Sequence, residues 1–138
     1  MITKSLTFRK ILLAPLLMAF GLAGCTDKAN PENVDHRSVE RWNFLVAHQA
    51  EKAYDYLSPG FRTTQSREDY AAMMNNRALQ WKNVKFASKD CDAERCKVNV
   101  SVTYSVVMPG AGGKPLESTT TQSETWILVE GEWFYLPK

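Results

Sequence analysis

Acid–base chemistry on an apolar substrate would need a carboxylate in apolar surroundings, with a tyrosine or a protonated acid to stabilise the oxyanion. Glu124 is the acid best placed for this role, because it shares a strand face with Trp126 and Leu128. The position equally suits an exposed partner in a cross-strand pair, which is our expectation for it. Asp55 and His48 fall off the apolar stripe of their predicted helix, so we expect both to be solvated. The sequence therefore predicts no catalytic residue.

Established catalytic motifs are absent from the sequence, which has no Walker loop, HExxH, GxSxG or paired CxxC set. Gly110-Ala-Gly-Gly113 has the composition of a phosphate cradle, but such loops lead from a strand into a helix whose N-terminus faces the anion. Here the glycines join two predicted strands, which indicates an ordinary hairpin connection. We expect no cofactor.

The N-terminal segment has the order of a secretory signal, with basic residues at 4, 9 and 10, an apolar run over 11–20 and small residues after it. The run is shorter than the ~20 apolar residues that span a bilayer. Leu22-Ala23-Gly24-Cys25 resembles the lipobox of bacterial lipoproteins, whose cysteine thiol accepts a diacylglycerol. We expect residues 1–24 to be removed and acylated Cys25 to hold the protein on a lipid bilayer. An ordinary signal peptide with an incidental cysteine is the alternative.

Resemblance to lipoproteins also implies a location. An Asp directly after the lipidated cysteine commonly retains such proteins at the inner membrane, and this chain has Thr26 there. If the organism is Gram-negative, the resemblance therefore implies delivery to the outer membrane, facing the periplasm. Residues 25–34 have almost nothing to bury and predict a flexible tether.

The remaining residues, 35–138, suit one domain, because 44% of this 138-residue chain is apolar, enough for a single core. Three of the 17 basic residues lie in the leader, which leaves 14 against 15 acidic residues in the mature protein. A near-neutral domain has no electrostatic reason to bind a polyanion, so nucleic acid is not an expected partner.

Helical spacing predicts two helices at the start of this domain. The first begins with Asp35 as its N-cap and continues to Leu57, where Ser58-Pro59-Gly60 ends it. Its apolar stripe consists of Val39, Trp42, Val46, Ala50, Ala53 and Leu57. Ser66 and Asp69 form a variant capping box that starts the second. The predicted buried side of this second helix is Tyr70, Met73, Met74 and Ala78, with Trp81 closing the layer.

The period changes to two from residue 82 onward, most clearly over 96–108, where apolar and polar residues alternate. Further strands are predicted at Leu116–Val129 and Glu132–Leu136, joined by a Glu130-Gly131 turn. The order α-α-β-β-β-β predicts an α+β fold, with two N-terminal helices packed on a curved four-stranded antiparallel sheet.

Cys91 and Cys96 lie between two strands of a chain that we expect to mature outside the cytoplasm, which predicts a disulfide; two free thiols are the alternative. Too few thiols remain for zinc, so no metal is expected. Pairing the two cysteines directly would place Val84 and Phe86 on the wrong face of the sheet. A β-bulge between Ala87 and Asp90 would restore a common apolar face.

Two segments carry a family resemblance: residues 53–62, which read Ala-Tyr-Asp-Tyr-Leu-Ser-Pro-Gly-Phe-Arg, and the terminal 126–136 hairpin. With the intervening helix, they resemble the nuclear transport factor 2-like superfamily over about residues 35–137. The resemblance implies a curved sheet wrapped around a helix, forming a cone with a pocket at its open end. It carries no functional signature, because the superfamily contains both ketosteroid isomerase-like enzymes and catalytically silent modules.

Aromatic and methionine side chains supply the candidate pocket and surface. A pocket in the cone would be lined by Tyr56, Met73, Trp81, Tyr104 and Trp126, although residues at these spacings also suit a packed core. Phe44, with Tyr54 beside it, predicts an outward aromatic ridge for a partner. The last hairpin is apolar on both faces, which would suit a homodimer through the sheet.

Together these patterns favour a membrane-tethered, non-enzymatic module of the cell envelope. Its partner would be an envelope protein or a small apolar ligand. The alternative is a small ketosteroid isomerase-like enzyme acting on an apolar ligand in the cone pocket. An ionisable group free to react at the floor of that pocket would distinguish the enzyme from the module.

Overall fold

The computed structural model describes residues 30, 33–108, 110 and 112–138. The predicted signal segment, Cys25 and most of the predicted tether lie outside these residues. Within them, no helix is long and apolar enough to cross a membrane.

Short helices precede a four-stranded antiparallel sheet, which confirms the predicted α+β class. The helices are α1 (Val34–Val46), α2 (Ala50–Ala53), a 3-10 turn (Tyr54–Tyr56), α3 (Pro59–Arg62) and α4 (Arg67–Asn75). The strands are β1 (Leu79–Cys91), β2 (Arg95–Val107), β3 (Pro115–Val129) and β4 (Glu132–Leu136). They pair in the order β1-β2-β3-β4, so each strand lies beside its neighbour in sequence.

The sequence predicts one continuous helix up to Leu57, but this was wrong, because α1 ends at Val46 and a new helix begins at Ala50. His48 has φ 55°, in the left-handed region. The backbone N–H of Gln49 donates to the Phe44 carbonyl at 2.8 Å, and that of His48 donates to the Leu45 carbonyl at 3.2 Å. These two bonds form a Schellman motif, which usually has glycine at the left-handed position. With histidine there, the sequence carries no glycine signal for the break.

The start of α1 also differs from the prediction. Its N-cap is Asn33, and Asp35 lies in the first turn. The Asp35 carboxylate accepts from Lys89 Nζ at 3.0 Å, which ties the helix to β1.

The second predicted helix begins as expected. The backbone N–H of Asp69 donates to Ser66 Oγ at 3.1 Å, and the Ser66 hydroxyl donates to the Asp69 carboxylate at 2.8 Å. Its buried side is narrower than predicted, because Met73 is 46% exposed and Ala78 is exposed, whereas Tyr70 is buried. Trp81 lies in β1, and its ring packs against Trp42 of α1 with the ring centroids 5.0 Å apart.

The β1–β2 register confirms the predicted bulge. Cys91 lies opposite Cys96, and the two form a disulfide. The pairing shifts at Ala87, the first residue of the predicted window, and Val84 therefore lies opposite Val102 and is buried. Phe86 lies opposite Val100 but is 42% exposed, so the common apolar face is only partly restored there. A second shift between Trp81 and Asn83 was not predicted.

The core lies between the helices and one face of the sheet. Its fully buried members on the strands are Cys96, Val98, Val100, Val102, Trp126 and Trp133, and on the helical side it includes Val34, Trp42, Leu45 and Leu57. Leu57 also forms a parallel bridge with Tyr135, and the Ser58 N–H donates to the Tyr135 carbonyl at 2.8 Å. The chain between α2 and α3 therefore covers part of the free edge of β4.

Candidate functional site

Glu124 is a buried carboxylate, 3% exposed, on the inner face of β3. This corrects the expectation of an exposed cross-strand partner. Glu124 and Trp126 share a strand face, since side chains alternate along a strand. That face lies under α1, where Ser38, Arg41 and Trp42 fall on the same side of the helix.

Four side chains donate to this carboxylate. Oε1 accepts from Arg41 Nη1 at 2.6 Å and from Trp42 Nε1 at 2.8 Å. Oε2 accepts from Ser38 Oγ at 2.6 Å and from Trp126 Nε1 at 2.9 Å. A carboxylate offers about four lone-pair positions, so these donors occupy all of them. We call these five residues the carboxylate cluster.

The cluster fixes the Arg41 guanidinium, which is only 4% exposed. The Arg41 Cζ lies 4.0 Å from the centre of the Tyr135 ring, and Nη2 makes a long contact of 3.5 Å to the Tyr70 hydroxyl. Burial would lower the pKa of Arg41, but the charge of Glu124 and the neighbouring tyrosines act against it, and the pKa is raised. Arg41 therefore stays charged inside the domain.

A cavity of about 380 Å³ opens beside the cluster, between α1, α4 and the sheet. We call it the cone pocket, and its lining includes Arg41, Tyr70, Met73, Met74, Trp81 and Tyr135. Two of these lining residues carry a buried donor, Arg41 Nε and Trp81 Nε1, that has no hydrogen-bond partner among the described residues. The pocket thus combines aromatic walls with unused N–H groups.

The structure brings some of the predicted pocket residues together. Met73 and Trp81 line the cone pocket. Tyr104 lies behind Trp81, with ring centroids 6.5 Å apart, and Trp126 is fully buried in the carboxylate cluster. Tyr56 does not line this pocket.

Tyr56 belongs to a separate surface groove of about 430 Å³, which we call the charged groove, lined by Arg37, Glu40, Phe44, Lys52, Asp55, Tyr56 and Glu132. Arg37 pairs with Glu132 at 2.9 Å across this groove. Partial burial and a hydrogen bond with Glu40 raise the pKa of Tyr56, so its hydroxyl stays protonated. Cations and anions alternate here, which gives the groove no strong preference for a ligand of either sign.

The predicted aromatic ridge is only partly present. Phe44 is half-buried and packs against Tyr56, with ring centroids 6.0 Å apart. Tyr54 was expected to face outward, but it is 7% exposed, and its hydroxyl donates to the Gln65 carbonyl at 2.7 Å. The following chain folds back over Tyr54, so only Phe44 of the predicted pair reaches the surface.

The ranges 33–108 and 112–138 contain no group of three His, Cys, Asp or Glu residues arranged to hold a metal ion. The predicted glycine loop joins β2 to β3, and Gly110, Gly112 and Gly113 all have positive φ there. It does not open a helix, as a phosphate cradle would require.

Sequence reasoning missed the carboxylate cluster because its members are far apart in the chain. Ser38, Arg41 and Trp42 meet Glu124 across separations of 86, 83 and 82 residues. Two signals were available in the sequence. Ser38 and Arg41 are polar residues one helical turn apart near the apolar stripe. Glu124 occupies a strand position whose side chain points to the same face as Trp126.

No family model and no curated protein matches this sequence. Solved structures do match. A SEC-C motif containing protein of Rhodopseudomonas palustris aligns with a TM-score of 0.58 at 13% identity, covering 81% of this chain and 79% of that one. A Campylobacter jejuni protein described as an NTF2-like transpeptidase aligns with a TM-score of 0.52 at 12% identity, covering 79% and 99%. Aln2 from a Streptomyces species aligns with a TM-score of 0.52 at 16% identity, covering 76% and 86%.

At these identities the likeness concerns the fold alone. It supports an NTF2-like cone for this chain, as the resemblance in the sequence implied. Function has to be argued from the cone pocket and the carboxylate cluster.

Proposed function

We propose that this protein is a lipid-anchored, non-enzymatic binding module of the cell envelope, and that its cone pocket takes a small ligand. The observation that carries the non-enzymatic part of this proposal is that four donors occupy all the lone-pair positions of the Glu124 carboxylate. A general base must offer a free lone pair to the proton that it removes. Glu124 has none left, so the buried acid beside the pocket serves to hold the fold.

A small ketosteroid isomerase-like enzyme is the second candidate. The observation that favours it is the position of a buried carboxylate beside an aromatic cavity, with Tyr70 and Tyr135 nearby. Catalysis by Glu124 would require at least one of its donors to leave. Arg41 and Trp42 are themselves buried, and each would lose its hydrogen bond to Glu124 on leaving, which favours the binding module.

Anchoring is proposed from the sequence. The lipobox-like Leu22-Ala23-Gly24-Cys25 and the tether that follows it support acylation of Cys25. The Cys91–Cys96 disulfide supports export, since such bonds persist mainly in oxidising compartments. An outer-membrane location facing the periplasm, an envelope protein partner and a homodimer through the sheet remain predictions.

Mass spectrometry of the membrane-extracted protein tests the anchor. We expect a mature chain that starts at an acylated Cys25, and a Cys25→Ser variant that leaves the membrane fraction. An unmodified cysteine or an intact leader in the mature protein would contradict the proposal.

A turnover assay tests the absence of catalysis. The protein is incubated with apolar ketones and carboxylic acids that bind it, and these compounds are then recovered and analysed. We expect every bound compound to return chemically unchanged. Conversion that a folded Glu124→Gln variant no longer carries out, at compound concentrations that saturate its pocket, would identify an enzyme instead.

A further inference from the structure

Two residues that line the cone pocket each carry a buried N–H group with no partner in the described part of the chain, Arg41 Nε and Trp81 Nε1. Leaving a buried donor unpaired is costly, so such groups in a native domain call for an explanation. Guanidinium and indole nitrogens donate and do not accept hydrogen bonds. A ligand that satisfies them must therefore present oxygen acceptors.

Both donors flank the same side chain. The Arg41 Cζ lies 5.6 Å from the Trp42 ring centre, and the ring centroids of Trp81 and Trp42 are 5.0 Å apart in an edge-to-face arrangement. Trp42 itself is held by its hydrogen bond to Glu124. Both residues that carry an unused donor therefore pack against Trp42, which the cluster holds in place.

The charges in the pocket lining have one sign. Arg41, Arg77 and Lys138 contribute cationic side chains, and no Asp or Glu side chain is among the described lining residues. The negative charge of Glu124 lies behind this lining and is engaged by its four donors. In such a site an anion is favoured over a cation of the same shape.

The remaining walls are apolar. Tyr70 and Tyr135 form part of them, and Met73 and Met74 lie on α4 at the same cavity. Met73 is 46% exposed, and methionine adapts to ligands of different outline. A volume of about 380 Å³ lies at the small end of the range for ligand pockets, which suits a ligand of one or two rings.

We propose that the cone pocket binds an organic carboxylate with a flat apolar body, whose oxygens accept from Trp81 Nε1 and Arg41 Nε. This inference rests on the proposed function as a binding module and names the class of its ligand. The carboxylate gives the two donors their missing partners, and the ring system packs against the tyrosines and methionines.

A matched series of probes tests the inference: 2-naphthoate, its neutral amide and 2-naphthylmethylammonium. The indole N–H resonances of the four tryptophans are followed by NMR in the full mature domain. We expect 2-naphthoate to bind at least tenfold more tightly than the ammonium compound, with the amide between them. The Trp81 resonance should move most, because Trp42 and Trp126 already donate to Glu124.

Two variants make the test specific. Trp81→Phe removes one donor and keeps an aromatic ring, and it should weaken 2-naphthoate binding roughly tenfold. Tyr56→Phe makes the comparable change in the charged groove and should leave binding unaltered. If Trp81→Phe does not fold, the comparison of the three probes on the unaltered protein still decides the question.

Equal affinity for the anionic and cationic probes, no binding of any probe, a stationary Trp81 resonance, or full affinity in a folded Trp81→Phe variant would each overturn this inference. Binding without preference for the anion would leave the module proposal standing. Chemical conversion of a bound probe would instead overturn the proposed function, even with an anion preference.

Discussion

Replacing Glu124 with glutamine is the most demanding test of the carboxylate cluster. The amide oxygen can still accept from Arg41 and Trp42, and the amide nitrogen can donate to Ser38, whose hydroxyl is free to rotate. Trp126 Nε1 then has no acceptor, since its partner atom has become a donor. In addition, the buried Arg41 loses its counter-charge.

Breaking a buried ion pair by removing one partner costs ~3–5 kcal/mol, and an orphaned donor costs ~1–3 kcal/mol. Because glutamine keeps several of the contacts, we expect Glu124→Gln to lower the free energy of unfolding by about 3 kcal/mol. This is a large share of the ~5–15 kcal/mol typical of a domain. Urea unfolding followed by tryptophan fluorescence measures the loss.

A matched control lies on the same strand: Glu117 is exposed, and Glu117→Gln should change stability by less than ~0.5 kcal/mol. In a double-mutant cycle, Arg41→Gln should cost much less in the Glu124→Gln background than alone, because the two groups interact directly. If Glu124→Gln unfolds within ~0.5 kcal/mol of the unaltered protein, the cluster does not support the fold as argued.

Three further predictions concern the scaffold. Replacing His48 with glycine should stabilise the domain by about 1 kcal/mol, since glycine adopts the left-handed conformation freely; a loss of stability in urea unfolding would contradict the assigned helix end. Replacing Cys91 and Cys96 with serine together should cost about 2 kcal/mol, because the closed loop is short, and a thermal melt that does not change would show that the disulfide adds nothing. The hydrogen bond from Arg67 lowers the pKa of the Asp55 carboxyl, so its stabilisation is present above the unfolded value of ~4 and is lost as the pH falls through the lower folded pKa. Asp55→Asn should therefore be less stable than the unaltered protein at pH 7, and an acid titration of both should show the difference vanishing.

The strands were predictable because one buried face imposes a period of two. Along β2, Val98, Val100 and Val102 are all fully buried, and the polar residues between them are not. The Ser66 cap was equally readable, since its partner Asp69 is three residues away. Local signals of this kind specify elements well.

The carboxylate cluster and the helix break were not predictable in the same way. A glutamate on a strand is normally assigned to solvent, and only the approach of α1 from 82 or more residues away makes burial tolerable. Likewise, His48 adopts a conformation that favours glycine, so its type does not reveal the helix end. In both places tertiary contacts override the preference of the single residue.

Different atoms of the Arg41 side chain serve the fold and the proposed ligand, so variants of its neighbours should affect stability and affinity differently. Nη1 holds Glu124 and the ring of Tyr135 supports the guanidinium plane, while Nε has no partner in the part of the chain that the structure describes. Changes at Glu124 release Arg41 and should therefore reduce stability and ligand affinity together. Trp81 contributes nothing to the hydrogen bonds of the cluster, so Trp81→Phe should reduce stability only through the smaller ring packed on Trp42, and should reduce affinity more. A loss of affinity no larger than the loss of stability would mean that the Trp81 ring supports the fold and its N–H is not part of a ligand site.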